Sequence, residues 1–341
     1  MTALDIPYWG QTLIKVILVL IAVPTATALI VQTFLFKVMA HMQSRLGPME
    51  AGPHGSLQLM ADGGKFLQKE LLAPARADKK VYVLAPVIVL ISTFMLYVVI
   101  PIGPGAIGEN LDTGIFFALA VSSISVIGIL AAGWASANKY SLIGGLRAAG
   151  QLIAYELPLV LAVVGVVMMA GTLSLQGIVH AQQGFRLFGT SLAVPFVIPQ
   201  FIGFVLFLIA AQAELTQTPF DMPIAESELV AGYQTEYSGL LFLFFYIGEF
   251  GTAFGLAAIA STLFLGGWAI PFYHPLGLWG DLFGFGVLFV KTMLVAFLIF
   301  WIRFTYPRFR EDQLQAFAWK VLIPVALVNV LATAAFKVVV G

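Results

Sequence analysis

The sequence predicts an all-α integral membrane protein with about eight transmembrane helices, and three observations support this fold class. Of its 341 residues, 60% are hydrophobic and only 10% are charged, with a mean hydropathy of +0.97, whereas soluble domains carry roughly 25% charged residues. Apolar runs of about 20 residues, the length that crosses a bilayer as a helix, recur along the chain. All six tryptophans lie close to the ends of these runs, where the membrane interface favours them.

Eight segments reach this length, and each is predicted to form one transmembrane helix. They are residues 12–36, 81–101, 113–135, 142–170, 192–213, 238–267, 282–302 and 319–338. The first follows an N-terminal stretch without Lys or Arg ahead of an apolar core, so it is predicted to be a retained span and not a cleaved signal. The segments beginning near residues 142 and 238 are longer than a perpendicular helix requires, so they are expected to tilt or to extend beyond the lipid. Residues 1–341 are predicted to form a single membrane domain.

The distribution of Lys and Arg predicts the orientation. Loops on one face of the predicted bundle carry 13 of the 17 basic residues: Lys37, Arg45, Lys65, Lys69, Arg76, Lys79, Lys80, Lys139, Arg147, Arg303, Arg308, Arg310 and Lys320. Lys15 and Lys291 lie inside spans, and only Arg186 and Lys337 fall on the opposite face. The positive-inside rule makes the first face cytoplasmic. Because the number of spans is even, both termini are expected on the outer face.

Several classes of function are disfavoured by residue types that the chain lacks or misplaces. It contains no cysteine, which excludes disulfides, thiolate-held iron–sulfur clusters and a cysteine nucleophile. Its four histidines lie outside the apolar runs, and its net charge is zero, so haem ligation, a protein metal site and nucleic-acid binding are not expected. The stretch "GPGAIG" (residues 103–108) matches a dinucleotide motif but follows no strand, so it is interpreted as a turn.

Two carboxylates lie deep inside predicted spans. Glu156 is about fourteen residues into the fourth span, and Glu249 is similarly deep in the sixth. An ionisable residue at membrane depth is costly and is therefore a functional candidate. A structural hydrogen bond to a neighbouring helix is the alternative for each of them.

The acidic connection, residues 214–237, joins the fifth and sixth spans and is the most unusual polar segment. It contains five carboxylates and no Lys or Arg: Glu214, Asp221, Glu226, Glu228 and Glu236. Pro219 and Pro223 interrupt any helix here, which predicts an irregular segment that can line a cavity. Such a series of unpaired acids can pass protons through water. The alternative is a solvated acidic loop.

Two further cytoplasmic loops carry recognisable patterns. Within residues 37–80, apolar residues recur at helical spacing while Asp62, Lys65 and Lys69 share the opposite stripe, which predicts an amphipathic helix at the interface. It is expected either to cover an opening for a lipid-like ligand or to serve as a surface anchor. The basic loop, residues 303–318, concentrates Arg303, Arg308 and Arg310.

Over almost its whole length the chain resembles a known family, through three blocks. They are Arg45-x-Gly47-Pro48 continuing to Lys69-Glu70, Pro219-Phe220-Asp221 continuing to Glu236-Tyr237-Ser238-Gly239, and "RFTYPRFREDQL" (residues 303–314). The family is the quinone-site membrane subunit, or H subunit, of proton-pumping NADH:quinone oxidoreductase, respiratory complex I. Glu156 and Glu249 fall where this family has its membrane carboxylates.

The resemblance implies a role in quinone reduction and proton translocation within a bacterial plasma-membrane complex. The implied carboxylate path comprises Glu156, Glu214, Asp221, Glu226, Glu228, Glu236 and Glu249. The implied contacts with the quinone chamber or the peripheral arm are Arg45, Asp62, Lys65, Phe220, Arg303, Arg308, Arg310 and Asp312. This chain is expected to bind no cofactor and to lack independent catalysis. Quinone would be the substrate, and NADH, FMN and iron–sulfur clusters would belong to partner subunits. The implied partners are the peripheral iron–sulfur subunits of the quinone site and the antiporter-like membrane subunits.

The chain also departs from the family pattern and leaves alternatives open. Gln217 stands where Arg is common in the family, and Met49 stands where Asn is common. Ile224 stands where a further Glu is common, so the acid series is shorter than usual by at least one site. One alternative is the related membrane anchor of a membrane-bound hydrogenase, which the Gly52-Pro53-x-Gly55 block disfavours. An independent proton-coupled transporter is the other alternative, and the lack of an inverted repeat disfavours it.

Overall fold

The computed structural model of the chain describes residues 7–185, 194–270 and 277–340. Ten helices of at least ten residues lie among the described residues: α1 Tyr8–Met42, α2 Gln58–Gln68, α3 Lys79–Val98, α4 Gly114–Ala135, α5 Lys139–Ala170, α6 Leu175–Gly184, α7 Phe201–Glu214, α8 Gly239–Phe264, α9 Gly277–Thr305 and α10 Glu311–Val338. Arg186, His274 and the first residues of the predicted 192–213 span lie outside the described ranges. The all-α membrane fold is confirmed.

Within those ranges, seven helices are long and apolar enough to cross a membrane: α1, α3, α4, α5, α8, α9 and α10. The predicted fifth span differs from expectation, because its helix α7 has only 14 residues and reaches about 21 Å at 1.5 Å per residue. Residues 196–200 approach it as a turn, in which the amide of Gln200 donates to the carbonyl of Phe196 at 2.9 Å. The apolar run predicted a full-length span here. Part of that run forms the turn at residues 196–200, so the helix itself is shorter.

Two of the helices that begin near the predicted inner face, α3 and α5, have capping side chains. The Asp78 carboxylate accepts from the backbone amides of Lys80 and Val81 at the start of α3, and Asn138 accepts from Tyr140 at the start of α5. These caps satisfy amides that have no partner inside the helix. With 32 residues, α5 is the longer of the two predicted long spans, and it ends at Gly171 in the left-handed conformation (φ 72°) that favours glycine there.

Several predicted loops are shorter than the sequence suggested. Helix α1 continues to Met42, with a π-helical stretch over Val31–Val38. The predicted 37–80 loop is therefore reduced to residues 43–57, with a short 3-10 turn at Pro53–Gly55, and residues 69–78, on the two sides of α2. Similarly, α9 continues to Thr305 and α10 begins at Glu311, which leaves residues 306–310 as the non-helical part of the basic loop. Hydropathy ends a span where polar residues begin, but Lys and Arg are good helix formers and extend helices beyond the lipid.

The amphipathic helix is confirmed as α2, and it rests beside the start of α8. None of its residues is buried in this chain alone. Its Phe66 ring stacks on Phe242 of α8 with centroids 5.7 Å apart. The hydroxyl of Ser238 accepts from the Leu72 amide at 3.4 Å and donates to the Glu70 carbonyl at 3.2 Å. The helix is therefore held at the end of the bundle where the acidic connection lies.

Apolar packing forms two clusters. The larger one runs through α1, α5, α7, α8, α9 and α10, and the smaller one joins α3, α4 and the first half of α5 to the acidic connection. In the smaller cluster Tyr82 and Tyr237 stack with ring centroids 4.2 Å apart, and the Tyr82 hydroxyl donates to the Glu236 carbonyl at 2.6 Å. The connection is thus packed into the helical bundle instead of extending from it.

Candidate functional site

The acidic connection is irregular, as the two prolines predict, and its backbone is held by amide side chains from helices. Gln151 of α5 is 1% exposed, and its Nε2 donates to the carbonyls of Ala213 (2.7 Å) and Phe220 (2.6 Å). Gln212 of α7 donates to the Thr218 carbonyl at 2.7 Å. A buried carbonyl without a donor is costly, so these glutamines stabilise a segment that has no regular ladder of its own.

One glycine in the connection has a steric requirement. Gly232 has φ +55°, and a Cβ atom there would lie 1.7 Å from the carbonyl oxygen of Pro223. This close approach folds the second half of the connection, with Tyr233, back onto the Pro223 turn. Only glycine permits both the conformation and the contact.

Asp221 is not an unpaired acid as expected, because an arginine from the basic loop reaches it. The Arg308 guanidinium donates from Nε to Oδ1 at 2.5 Å and from Nη2 to Oδ2 at 2.7 Å, and its Nη1 lies 3.1 Å from the Ser227 hydroxyl. The hydrogen bond to Asp221 is the main reason why the pKa of Arg308 is raised. The basic loop and the acidic connection therefore form one paired structure.

Glu228 is also paired, and the expectation of a free carboxylate is wrong for it too. Arg147 of α5 contacts the Glu228 carboxylate at 2.6 Å and the Glu311 carboxylate, in the first turn of α10, at 3.2 Å. The Arg147 side chain is 23% exposed. One arginine thus joins three elements that are far apart in sequence.

The remaining acids of the connection differ in their surroundings. The Glu236 carboxylate accepts from Asn138 Nδ2, the capping residue of α5, at 2.5 Å. Glu226 is exposed at the start of a single helical turn, Glu226–Leu229. Consequently Glu226 faces solvent, whereas Asp221, Glu228 and Glu236 contact polar side chains of other elements.

Glu156 and Glu214 interact with adjacent serines of α4. The Glu156 carboxylate accepts from the hydroxyl of Ser123 in α4. Glu214, at the end of α7, is half-buried, but its Oε2 is fully enclosed and has no hydrogen-bond partner. Burial raises the pKa of Glu214 to about 7, a hydrogen bond with Ser122 lowers it in part, and the nearby Glu156 charge raises it further. The two carboxylates therefore influence each other electrostatically.

Glu249 lies at the other side of the connection, with one amide and one cation beside it. The Gln217 Nε2 donates to the Glu249 Oε1 at 2.5 Å, and Arg303 Nη1 lies 3.9 Å from the same oxygen. Arg303 also donates to the Gln217 Oε1. This three-residue group joins α8, α9 and the connection.

The predicted chamber residues are placed in two different areas. Phe220 is 4% exposed and packs between Tyr155 (ring centroids 5.2 Å apart) and Phe309 (5.6 Å). Asp312 binds Arg310 through two contacts of 2.5 and 2.6 Å on an exposed surface. Phe220 is thus a packing residue between the connection and the basic loop in this chain.

The other predicted chamber residues belong to the α2 region. Arg45 is exposed and donates to Gln43 Oε1 at 2.9 Å, and Asp62 accepts from Gln58 Nε2 at 3.1 Å. An open surface groove of about 510 Å³ lies along α2, lined by Ala61, Gly64, Lys65, Gln68 and Lys69. The structure therefore groups Lys65 with α2 and not with the acidic connection.

Sequence reasoning missed several residues that hold this site together. Arg147 was counted only as part of the orientation pattern, and Ser123 and Asn138 were not selected. Two signals were present: adjacent serines, Ser122 and Ser123, inside an apolar span, and an arginine in the early turns of α5, soon after its capping residue. Neither signal identifies a partner without the tertiary structure.

The fold and the site together define a polytopic helical membrane protein whose buried polar cluster is built on carboxyl groups. Residues 14–334 match the family model described as NADH dehydrogenase, and the chain belongs to this family. It is 45% identical to the H subunit of NADH-quinone oxidoreductase from Brevibacillus brevis, over 96% of this chain and 94% of that protein. It is 47% identical to the proteins of the same name from Bacillus thuringiensis and Bacillus anthracis, over 88% of this chain and 86% of theirs.

Proposed function

We propose that this chain is a membrane subunit of a NADH:quinone oxidoreductase, that it forms part of the quinone chamber, and that it couples quinone reduction to proton translocation. Its relatives are named as the H subunit of that enzyme. The observation that carries the proposal is the series of carboxyl groups from the acidic connection into the bundle, ending at Glu156 and Glu249. Carboxyl groups at membrane depth are costly, so their presence there supports a functional role.

The proposed path uses paired acids instead of free ones. Asp221 and Glu228 contact Arg308 and Arg147, while Glu156 and Glu249 lie inside the spans α5 and α8 and Glu214 lies at the end of α7. Reduction of a quinone consumes protons together with electrons, so it changes the charge balance beside the path. Acids that share counter-ions respond to such a change as a coupled set, because each ion pair alters the proton affinity of its neighbours.

Cofactors and partners follow from this proposal. Quinone is the substrate, while NADH, FMN and the iron–sulfur clusters belong to partner subunits. For the iron–sulfur clusters this agrees with the lack of cysteine in this chain. The peripheral subunits would contact the face formed by α2, the acidic connection and the basic loop. The antiporter-like membrane subunits would receive the coupling. This face is cytoplasmic, in accordance with the distribution of Lys and Arg. With the turn at residues 196–200 and α7 counted together as the fifth crossing, the number of crossings stays even and both termini are on the outer side of the bacterial plasma membrane.

The test replaces Glu156, Glu228 or Glu249 by Gln, which preserves shape and removes the proton site. We expect the complex to assemble while quinone-dependent NADH oxidation and proton pumping both fall, by about a hundredfold for a lost proton-transfer group. The measurement is made in membrane vesicles, with complex content determined on native gels.

The matched control is Glu109→Gln. Glu109 forms an exposed ion pair with Lys15 at 3.0 Å, outside the acidic connection and the two deep carboxylate sites, so this variant should retain wild-type turnover. Full activity in all three path variants would contradict the proposal.

A further inference from the structure

Gln217 lies between a cation and an acid that would otherwise meet. It is 1% exposed, its Oε1 accepts from Arg303, and its Nε2 donates to Glu249 at 2.5 Å. The direct distance from Arg303 Nη1 to the Glu249 carboxylate is 3.9 Å. This is longer than a charge-assisted hydrogen bond, which is about 2.7–2.9 Å. The amide therefore takes the place of a direct contact between arginine and carboxylate.

The orientation of this amide is determined by its neighbours. A guanidinium can only donate, so the amide oxygen of Gln217 faces Arg303 and its NH₂ group faces Glu249. That NH₂ group can donate to a carboxylate oxygen, and equally to the carbonyl oxygen of a protonated carboxyl group. The contact is compatible with both protonation states of Glu249.

The guanidinium of Arg303 is also fixed from its other sides. Its central carbon lies 5.6 Å from the ring centroid of Phe250 and 6.0 Å from those of Phe300 and Phe304, within the range of cation–π attraction. These rings, together with Gln217, hold the cation at its distance from Glu249. Without the amide, a closer ion pair would stabilise the ionised carboxylate over the protonated form.

We propose that Gln217 is a positioning residue that keeps Arg303 one amide away from Glu249, so that the Glu249 carboxyl group can both gain and release a proton. This inference rests on the proposed function, in which Glu249 carries protons. Other groups with an electrostatic influence at this position are Asp221 from the connection, Tyr233 from the turn Gly232–Gln234, and Tyr246 of α8. All of them are left in place by the test.

The test is a double-mutant cycle in the intact membrane complex. Gln217→Met keeps the length of the side chain and removes the amide, and Gln217→Asn keeps the amide but is too short to reach both partners. We expect each variant to lower quinone-linked turnover per assembled complex by about tenfold, as for the loss of one charge-assisted hydrogen bond. In a Glu249→Gln background, Gln217→Met should cause no further loss, because the two changes act through one group.

Gln200→Met is the matched control, since Gln200 is 2% exposed and its amide also joins two side chains, Thr333 and Asn329, but lies outside the acidic connection. It should keep near-normal turnover per assembled complex. A purely structural role for Gln217 predicts that its loss adds to that of Glu249→Gln, and this result would overturn the inference, as would wild-type turnover in an assembled Gln217→Asn complex. Full activity of Glu249→Gln alone would instead contradict the proposed function, so the two failures are distinguishable.

Discussion

Arginine makes the close contacts to the acidic connection, and its shape explains the geometry. Arg308 contacts both oxygens of Asp221 and also reaches Ser227. A planar guanidinium can form this fork, while the ammonium group of lysine acts as a point charge. The pair is only 28% and 20% exposed, so water competes less with it than with a surface ion pair.

Replacing Arg308 by Lys should therefore loosen the connection although the charge is conserved. We expect the free energy of local opening around residues 218–229 to fall by about 1–2 kcal/mol, because one of the two charge-assisted hydrogen bonds is lost. Amide hydrogen exchange on the purified complex measures this opening. Arg310→Lys is the control, since Arg310 and Asp312 are 76% and 60% exposed, and it should leave exchange in residues 218–229 unchanged. Equal protection in wild type and Arg308→Lys would contradict the argument.

Glu214 should make stability depend on pH near neutrality. Its pKa is raised from 4.5 to about 7, chiefly by burial, so between these values the folded protein holds a proton that the unfolded chain releases. The stabilising contribution is fully present below pH 4.5 and is lost as pH rises through about 7, with a total on the order of 3 kcal/mol. Glu214→Gln should reduce the fall in melting temperature of the purified complex over this range. An unchanged pH dependence in the variant would show that Glu214 does not titrate there.

Helix ends in this protein are completed by side chains from other helices. Lys291 of α9 donates to the carbonyls of Leu265 (2.7 Å), Gly267 (2.9 Å) and Ala269 (2.7 Å), just beyond the end of α8. Carbonyls at a helix C-terminus have no internal partner, and a cation there also interacts favourably with the helix dipole. An isolated lysine inside an apolar span is thus explained by helix termination.

Lys291→Met should destabilise the junction after α8, since three carbonyls lose their donor. We expect a loss of about 2 kcal/mol or more, seen as a lower melting temperature of the purified complex. Lys337→Met is the matched comparison: Lys337 is exposed and makes a single contact to the Met168 carbonyl at 2.6 Å, so its loss should have a smaller effect. Equal melting temperatures for Lys291→Met and wild type would exclude a capping role.

Arg147 connects elements across the bundle in a related way. It extends from α5 to Glu228 of the acidic connection and to Glu311 at the start of α10. Helix α5 also carries Gln151, which holds the connection backbone, and Glu156. Helix α5 therefore contacts the acidic connection through Arg147 and Gln151 and also carries Glu156.

In the molecule as a whole, the ionisable side chains of the candidate site lie at one end of the helical bundle and along one path in its interior. The connection, the basic loop and α2 lie at this end, and the apolar clusters fill the rest of the interior. Among the described residues, no group of three or more His, Cys, Asp and Glu side chains is arranged to hold a metal. The protein surface around the spans is rich in exposed apolar residues, as a lipid-facing surface requires.

The purified single chain should therefore carry no redox chromophore. It has no cysteine for an iron–sulfur cluster, and the glycine motif of the dinucleotide type, residues 103–108, lies in a turn after α3, where Gly105 donates to Asp281 at 2.7 Å. We expect no absorption bands of haem, flavin or iron–sulfur clusters, and no NADH oxidation without partner subunits. Any such band in the spectrum of the isolated chain would refute this expectation.

Local patterns in the chain were enough to predict most of the elements. Hydropathy predicted the spans observed as α1, α3, α4, α5, α8, α9 and α10. The helical spacing of apolar residues, with charged residues on the opposite stripe, predicted α2. The prolines at 219 and 223 predicted the irregular connection. These features depend on neighbouring residues, so they can be read without knowing how the helices pack. The quoted motifs also identified the family, which the relatives confirm.

Pairing could not be read in this way, because it depends on which helices meet. Asp221 and Arg308 are 87 residues apart, and Arg147 and Glu228 are 81 apart, so the acids seemed unpaired when only their own segment was considered. The short α7, the capping role of Lys291 and the position of Gln217 between Arg303 and Glu249 also result from packing. Composition determines that a carboxylate enters the membrane, whereas helix packing determines which cation or amide it meets there.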